Sequence, residues 1–323
     1  MPLIFSVAGF EGAVPDVVDL PQGTYSICAN AFKGKTTLVE VTGFESLSRI
    51  EDYAFSGCSK LARAPYASGV KSLGFAAFQR CRSFSSIDIP DSVTSIGQRC
   101  FEGCTAATTA TIGKRINAIP RFAFYQCSGL KDVEILGSVR AIEASAFEGC
   151  SSLEEIELPD SVKTIDRFAF KGCKSLQRIF ISPSINEIGA DAFQECDALE
   201  LEGVDPDLIQ RFPDAFPQSL LAQLGYLKPR ERQRIAYVFK KAHAEELAEL
   251  KEELSATKAR GRKATDDLTN AGMFDKAAKA DAQARVDREK AEVARLRTRI
   301  EMLEHPSDDD LLAFEYPELF EDE

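Results

Sequence analysis

The sequence has no tryptophan, only two histidines and three methionines. His243 and His305 lie far apart, and neither has cysteines or carboxylates at the spacing of a zinc site or a catalytic triad. No glycine-rich phosphate loop and no Gly-x-Ser-x-Gly elbow occurs. We therefore expect no enzymatic activity, no metal and no cofactor, and we expect both histidines to be solvent-facing helix residues.

Long apolar runs are also missing, so we expect no membrane-spanning segment. The amino terminus, Met1–Val7, has no basic flank, and its apolar run is soon broken by Gly9 and Glu11, unlike a signal peptide. We therefore expect an intracellular, cytoplasmic location, which makes the role of a cell-surface adhesin the less favoured alternative.

Positive charge is scarce, because the net charge is −12. This argues against binding of nucleic acid. Residues 1–227 carry 20 basic and 28 acidic side chains, residues 228–304 carry 19 and 15, and residues 305–323 carry eight acids and no base. The basic cluster that starts at Lys228 is interpreted as a solvated helix face, with contact to an acidic partner as the alternative.

One phenylalanine returns at a constant interval of 23 residues without insertion, and Phe216 continues the series in a degraded copy. The members are Phe32, Phe55, Phe78, Phe101, Phe124, Phe147, Phe170 and Phe193. A constant period of this size is typical of a solenoid. We expect the rings of successive copies to stack.

The copy from Phe147 shows the internal pattern most clearly. Leu153, Ile156 and Leu158 end in two-residue alternation, which predicts a short strand with one buried face. The segment that ends at Ile165 predicts a second short strand or a tight turn on the opposite wall. Ala169 and its equivalents are small, as expected where coils pack closely.

Seven of the nine cysteines occur three residues after a repeated phenylalanine. They are Cys58, Cys81, Cys104, Cys127, Cys150, Cys173 and Cys196. One thiol per coil does not bring three or four ligands to one point, and the chain is not a small disulfide scaffold. We expect a buried ladder of reduced thiols.

The repeated run Leu-x-x-Ile-x-Leu-Pro-x-Ser-Val-x-x-Ile-x-x-x-Ala-Phe-x-x-Cys resembles the BspA-type leucine-rich repeat family, over about residues 18–204. The resemblance implies a curved solenoid with short parallel strands and a protein-binding role, often on microbial cell surfaces. The predicted fold class is α+β: a leucine-rich-repeat solenoid of 23-residue repeats, followed by a C-terminal α-helical hairpin.

Five segments are predicted. They are an N-terminal cap at 1–31, the solenoid at 32–204, a C-terminal cap at 205–227 with short helices split by Pro213 and Pro217, a helical hairpin or coiled coil at 228–304, and an acidic tail at 305–323. In the hairpin, two apolar stripes at helical spacing flank a stop at Asn270–Gly272. The stripes need a partner, so a homo-oligomer through residues 228–304 is possible. The tail is interpreted as disordered, with a short linear motif as the alternative.

The outward columns of the strand face are the place to look for binding, because side chains alternate in and out along a strand. Stacking of neighbouring coils gathers acidic side chains into one patch beside an exposed phenylalanine. The predicted partner-binding residues are Asp132, Glu134, Glu154, Glu155, Glu157, Arg178 and Phe180. Stacked like charges repel, so this patch favours a cation or a basic partner; the alternative is an ordinary solvated surface.

The leading hypothesis is a non-enzymatic interaction scaffold that binds a protein partner, possibly a basic one, through the strand face. In the second hypothesis the helical hairpin is the interaction element and the solenoid is a spacer. In a third, the basic helix start docks on the acidic patch. No nucleic acid and no membrane is expected as a partner.

Overall fold

The computed structural model describes residues 3–5, 15–66, 68–270 and 276–317. The chain divides into two compact units, Met1–Leu221 and Ala222–Glu323. The first unit is a solenoid and the second is helical. The division lies inside the segment 205–227, for which we predicted a cap.

Most coils of the solenoid contribute short parallel strands to two walls, and within each sheet neighbouring strands pair one coil apart. One wall, which we call the strand face, contains β2 (Val17–Asp19), β4 (Glu40–Thr42), β7 (Ser86–Ile89), β9 (Thr109–Ile112), β11 (Asp132–Ile135), β13 (Glu155–Glu157) and β15 (Arg178–Phe180). The second wall contains β1 (Leu3–Phe5), β3 (Thr24–Ile27), β5 (Arg49–Ile50), β6 (Ser72–Leu73), β8 (Ser95–Ile96), β10 (Ala118–Ile119), β12 (Ala141–Ile142), β14 (Thr164–Ile165) and β16 (Glu187–Ile188). The predicted solenoid of short parallel strands is confirmed.

The copy from Phe55 adds no strand to the strand face among its described residues. At the position that Asp88 has in the next coil it carries Pro65, which is buried and has no N–H to donate to a ladder. This coil therefore lacks a backbone donor that the strands of the other coils have.

The repeated phenylalanines form one continuous stack through the solenoid. From Phe5 to Phe216, successive ring centroids are 4.9–5.6 Å apart, and successive ring planes are within 14° of parallel. The rings from Phe32 onward are fully buried. The predicted stack is confirmed, and it extends one ring further towards the amino terminus, to Phe5.

The turn that carries each ring uses the left-handed backbone region twice. Around Phe147, Ser145 has φ 57° and Gly149 has φ 77°. Glycine enters this region at little cost, whereas Gln126 and Glu195 occupy the equivalent position at φ 58° and 61°. The packing of each coil on its neighbours therefore determines the conformation of the turn, even where the residue in the turn does not favour positive φ.

The seven cysteines of the ladder are buried free thiols, as predicted. The small column that contains Ala169 is also fully buried. Together with the branched side chains that point inward from both walls, these columns form one continuous hydrophobic core.

The repeat register ends in a 3-10 turn at Leu201–Gly203, followed by α1 (Pro206–Arg211), a 3-10 turn at Pro213–Ala215 and α2 (Gln218–Ala222). The predicted short helices interrupted at Pro213 and Pro217 are confirmed. The 3-10 turn replaces the strand at this level and leaves Glu202 exposed.

The second unit contains α3 (Pro229–Ala242), α4 (Ala244–Asn270), α5 (Lys276–Glu304) and α6 (Asp308–Glu315). The helices α4 and α5 pack along each other as an antiparallel pair, with ion pairs at Glu246–Arg299 and Lys251–Glu304 (2.8 and 2.6 Å). The predicted hairpin is confirmed, and Asn270, the first residue of the predicted helix stop, is still helical. The rest of that stop, residues 271–272, lies outside the described residues.

Two expectations for this unit were wrong. The first long helix is divided at His243, whose ring packs 4.3 Å from Phe239 and whose Nδ1 lies 2.8 Å from the Phe239 carbonyl oxygen. His243 is therefore half-buried and not solvent-facing. Residues 308–315 are not disordered, because Leu311 and Leu312 of α6 are each only 1% exposed.

Within the described parts of the chain, no helix is both long and apolar enough to cross a membrane.

Candidate binding groove on the strand face

The predicted acidic residues lie on two neighbouring coils of the strand face. In β11, Val133 points into the core and the side chains on either side, Asp132 and Glu134, are exposed. In β13, Glu155 and Glu157 are exposed on either side of buried Ile156. Strand alternation thus brings four carboxylates to the same outer surface, as predicted from the repeat register.

The hydrogen-bonded ladder of the strand face is open between these two coils. β11 pairs with β9, and β13 pairs with β15, but β11 and β13 belong to separate sheets. The second wall is continuous at the same level, because β12 pairs with β14. A groove of about 850 Å³ therefore opens on one wall only, and Asp132, Glu134, Glu155 and Glu157 line it together with the half-exposed Leu136.

A closed ladder at this level would bring like charges together. Across a closed ladder the repeat register would set Asp132 beside Glu155 and Glu134 beside Glu157. Like charges directly opposite each other on neighbouring strands are destabilising. One coil earlier, the same columns are Thr109 and Thr111, and there the ladder is closed.

None of these four carboxylates has an ion-pair partner among the described residues. Elsewhere on the solenoid acidic side chains do have partners, since Arg63 bonds Glu40 at 2.8 Å and Lys114 lies 3.4 Å from Asp91. Arg178 lies opposite Glu155 in the β13–β15 register but forms no ion pair with it. The groove therefore keeps its negative charge uncompensated.

Phe180 follows at the edge of this groove. It lies opposite Glu157 in register and is 51% exposed. A second groove of about 470 Å³ lies on its other side, lined in part by Asp160, Glu202 and Asp205. Phe180 is thus an apolar projection with carboxylates on both sides.

Sequence reasoning missed part of this surface and included residues that lie beside it. Leu136 and the acids of the second groove were missed. Leu136 was detectable, because it replaces the proline found at Pro159 in the next copy. Glu154 is exposed but lines neither groove, and its carbonyl oxygen accepts a hydrogen bond from the Gln177 amide at 2.9 Å. Among the described residues, no three histidine, cysteine or acidic side chains are arranged to hold a metal ion.

The model of the BspA type leucine rich repeat region matches residues 10–131 and 71–200, with six copies. The chain belongs to the BspA-type leucine-rich repeat family. Proteins of this family are non-enzymatic repeat proteins that generally act in protein–protein interaction. A comparison with curated proteins finds no match.

Solved structures of leucine-rich repeat proteins resemble the chain. A protein from Bacteroides ovatus is 27% identical, with a TM-score of 0.46, over 62% of this chain and 63% of its own length. The Treponema pallidum protein TpLRR is 26% identical, with a TM-score of 0.42, over 61% of this chain and 81% of its own. A Eubacterium ventriosum protein is 27% identical, with a TM-score of 0.41, over 56% and 43%. The chain thus spans about two thirds or less of the Bacteroides and Eubacterium proteins.

Proposed function

We propose that this chain is a protein-binding module that takes a basic segment of a partner protein in the acidic groove between β11 and β13. The observation that carries the proposal is the opening of the ladder between four unpaired outward carboxylates. Such an arrangement weakens the solenoid in the absence of a ligand. Lysine or arginine side chains of a partner would offset that repulsion and give the interaction its specificity.

Phe180 supplies the apolar part of the same surface. Exposed aromatic side chains are enriched among the residues that dominate binding energy, especially where a polar rim surrounds them. The carboxylates on both sides of Phe180 form such a rim. The expected partner segment therefore combines basic residues with an apolar side chain that covers this ring.

The test is affinity capture with the tagged full chain and two charge-reversal variants. Glu155→Lys/Glu157→Lys removes the groove charge. Glu187→Lys/Asp197→Lys changes the net charge equally at exposed positions away from the strand face. A third variant, Phe180→Ser, removes the exposed aromatic ring. Captured proteins are then purified and their Kd values measured against each variant.

We expect one partner to be retained by the wild type and the control, and to lose at least about tenfold in affinity with each groove variant. Equal binding by all variants contradicts the proposal. In that case the helical unit becomes the interaction element, and the solenoid becomes a spacer.

A further inference from the structure

A second groove, separate from the strand face, lies between α4 and α5 in the helical unit and has a volume of about 770 Å³. On α4 its lining residues recur every three or four positions from Lys258 to Asp266. On α5 they recur in the same way from Val286 to Arg297. This spacing is that of one continuous helix face on each helix. At a rise of 1.5 Å per residue the α5 side is about 16 Å long, which matches about three turns of a third helix.

The floor of this groove is apolar and includes two small residues. Val286 is buried, Val293 is half-buried, and Ala294 is exposed although it lines the groove. Gly261 stands in the middle of the 27-residue helix α4, where glycine is among the weakest helix formers. A Cβ atom at Gly261 would meet only the Cβ of Glu289, at an ordinary 3.6 Å. The contacts of the hairpin therefore do not require a glycine at this position.

The rim of the groove is positively charged. Lys258 and Arg262 on α4, with Lys290 and Arg297 on α5, have no ion-pair partner among the described residues. Glu289 is already paired with Arg260 at 3.3 Å, which leaves Asp266 as the unpaired acid of the lining. Four free cations thus flank an apolar floor on both long sides.

We propose that this groove binds an acidic amphipathic helix of a partner protein, which completes a three-helix bundle with α4 and α5. The apolar stripe of such a helix would cover Val286 and Val293, and its flanking Asp and Glu side chains would meet the four cations. Small residues at Gly261 and Ala294 allow a close approach of helix axes. A nucleic acid would satisfy the cations but would leave the apolar floor uncovered, so the amphipathic helix fits both features.

The probe is a synthetic helix of about 18 residues with a leucine stripe flanked by glutamates, labelled and titrated against the full chain by fluorescence anisotropy. A second peptide keeps every glutamate and replaces leucine by serine. Lys258→Glu/Lys290→Glu reverses the rim, and Gly261→Leu fills the floor with a good helix former. Lys240→Glu/Lys279→Glu is the matched control, because both residues are exposed and line no part of the groove.

We expect saturable binding of the leucine-containing peptide, weakened at least about tenfold by Lys258→Glu/Lys290→Glu and by Gly261→Leu, and unchanged by the control. Circular dichroism of Gly261→Leu checks that the helices are intact. This test uses no residue of the solenoid, so its outcome is independent of the acidic groove.

Three outcomes overturn the proposal. One is the absence of saturable binding. Another is equal affinity for the serine peptide or for short duplex DNA, which would show a general polyanion surface. The third is a wild-type dimer in sedimentation that Gly261→Leu converts to monomer, because the occupant would then be a second copy of the chain.

Discussion

The thiol of Cys150 donates a hydrogen bond to the main-chain carbonyl oxygen of Phe124, with sulfur and oxygen 3.2 Å apart. The same contact links the other six ladder cysteines to the phenylalanine 26 residues earlier, at 3.0–3.4 Å. It joins neighbouring coils at the turn, next to the ring stack. An aliphatic side chain could fill the same space but could not donate this bond.

Replacing one thiol tests this role. We expect Cys150→Ala to lower the free energy of unfolding by about 1–3 kcal/mol, because it loses a buried hydrogen bond and leaves a small cavity. Cys150→Val restores volume without a donor and should recover only part of the loss. Urea denaturation measures both values. A full recovery with valine would show that the thiol acts only by its size.

The buried thiols also predict a pH dependence. Burial raises the pKa of Cys127 from the usual value of about 9 to about 12. Below pH 9 both the folded and the unfolded states keep the proton, so the stability is fully present. Between pH 9 and 12 the unfolded state releases it first, and the free energy of unfolding falls by about 1.4 kcal/mol per pH unit for this thiol. Urea denaturation from pH 8 to pH 10.5 measures this effect. Above pH 9 the free energy of unfolding of the wild type should fall more steeply than that of Cys127→Ala, by about 1.4 kcal/mol per pH unit. Parallel curves for the two proteins would show that burial does not raise the pKa of Cys127.

The stack of rings predicts a large loss at its centre. Phe124 lies 5.6 Å from Phe101 and 5.1 Å from Phe147, and it is fully buried. We expect Phe124→Ala to cost about 3–5 kcal/mol in chemical denaturation. Phe180→Ala is the matched control, because the Phe180 ring is half-exposed, and it should cost less than about 1 kcal/mol. Similar losses in the free energy of unfolding in both variants would mean that the ring stack does not stabilise the core.

The solenoid was predictable because its period of 23 residues leaves no freedom in the register. Once Phe147 is placed in the turn, Ile156 must point inward and Glu155 and Glu157 outward. The thiol–carbonyl bonds were not predictable, because a cysteine column is equally consistent with plain apolar packing. The division of α3 from α4 was missed because the apolar stripe continues across His243, whose side chain instead bonds the Phe239 carbonyl oxygen.

The position of α6 leads to a fourth prediction. Its ion pairs with α3, Arg232–Asp308 and Arg234–Glu315, are largely exposed, and pairs of this kind contribute at most about 1 kcal/mol. Leu311 and Leu312 are buried in the same cluster as Ile235. We expect Leu311→Ser/Leu312→Ser to release α6, and Asp308→Asn/Glu315→Gln to leave it docked.

Hydrogen exchange of residues 308–315 measures this release. Fast exchange in the leucine variant alone is the expected result. Fast exchange in the charge variant, with protection in the leucine variant, would show that ion pairs and not apolar contacts hold the helix.

The acidic groove on the strand face was predictable only in part. The repeat register places Asp132, Glu134, Glu155 and Glu157 on one surface, and the sequence shows that they repel. Whether the backbone tolerates that repulsion or opens depends on the balance between strand hydrogen bonds and charge, which a linear pattern does not contain. The second groove beside Phe180 forms where the strand gives way to the 3-10 turn at Leu201–Gly203, and repeat spacing cannot locate such a change of conformation.

The opening of the ladder predicts that the carboxylates of the groove lower the free energy of unfolding of the chain. We expect Glu157→Thr to raise the free energy of unfolding by a few tenths to about 1 kcal/mol at low salt, because one like-charge neighbour of Glu134 is removed. The gain should shrink as salt screens the repulsion. Glu187→Thr is the matched control, because Glu187 is exposed on β16 opposite Thr164 and faces no carboxylate in its ladder.

The expected result is that Glu157→Thr stabilises the chain, that the control does not, and that Glu157→Thr also weakens partner capture. The carboxylate of Glu157 would then contribute to binding while it lowers the stability of the fold. A loss of stability in Glu157→Thr would instead mean that the groove opens for another reason.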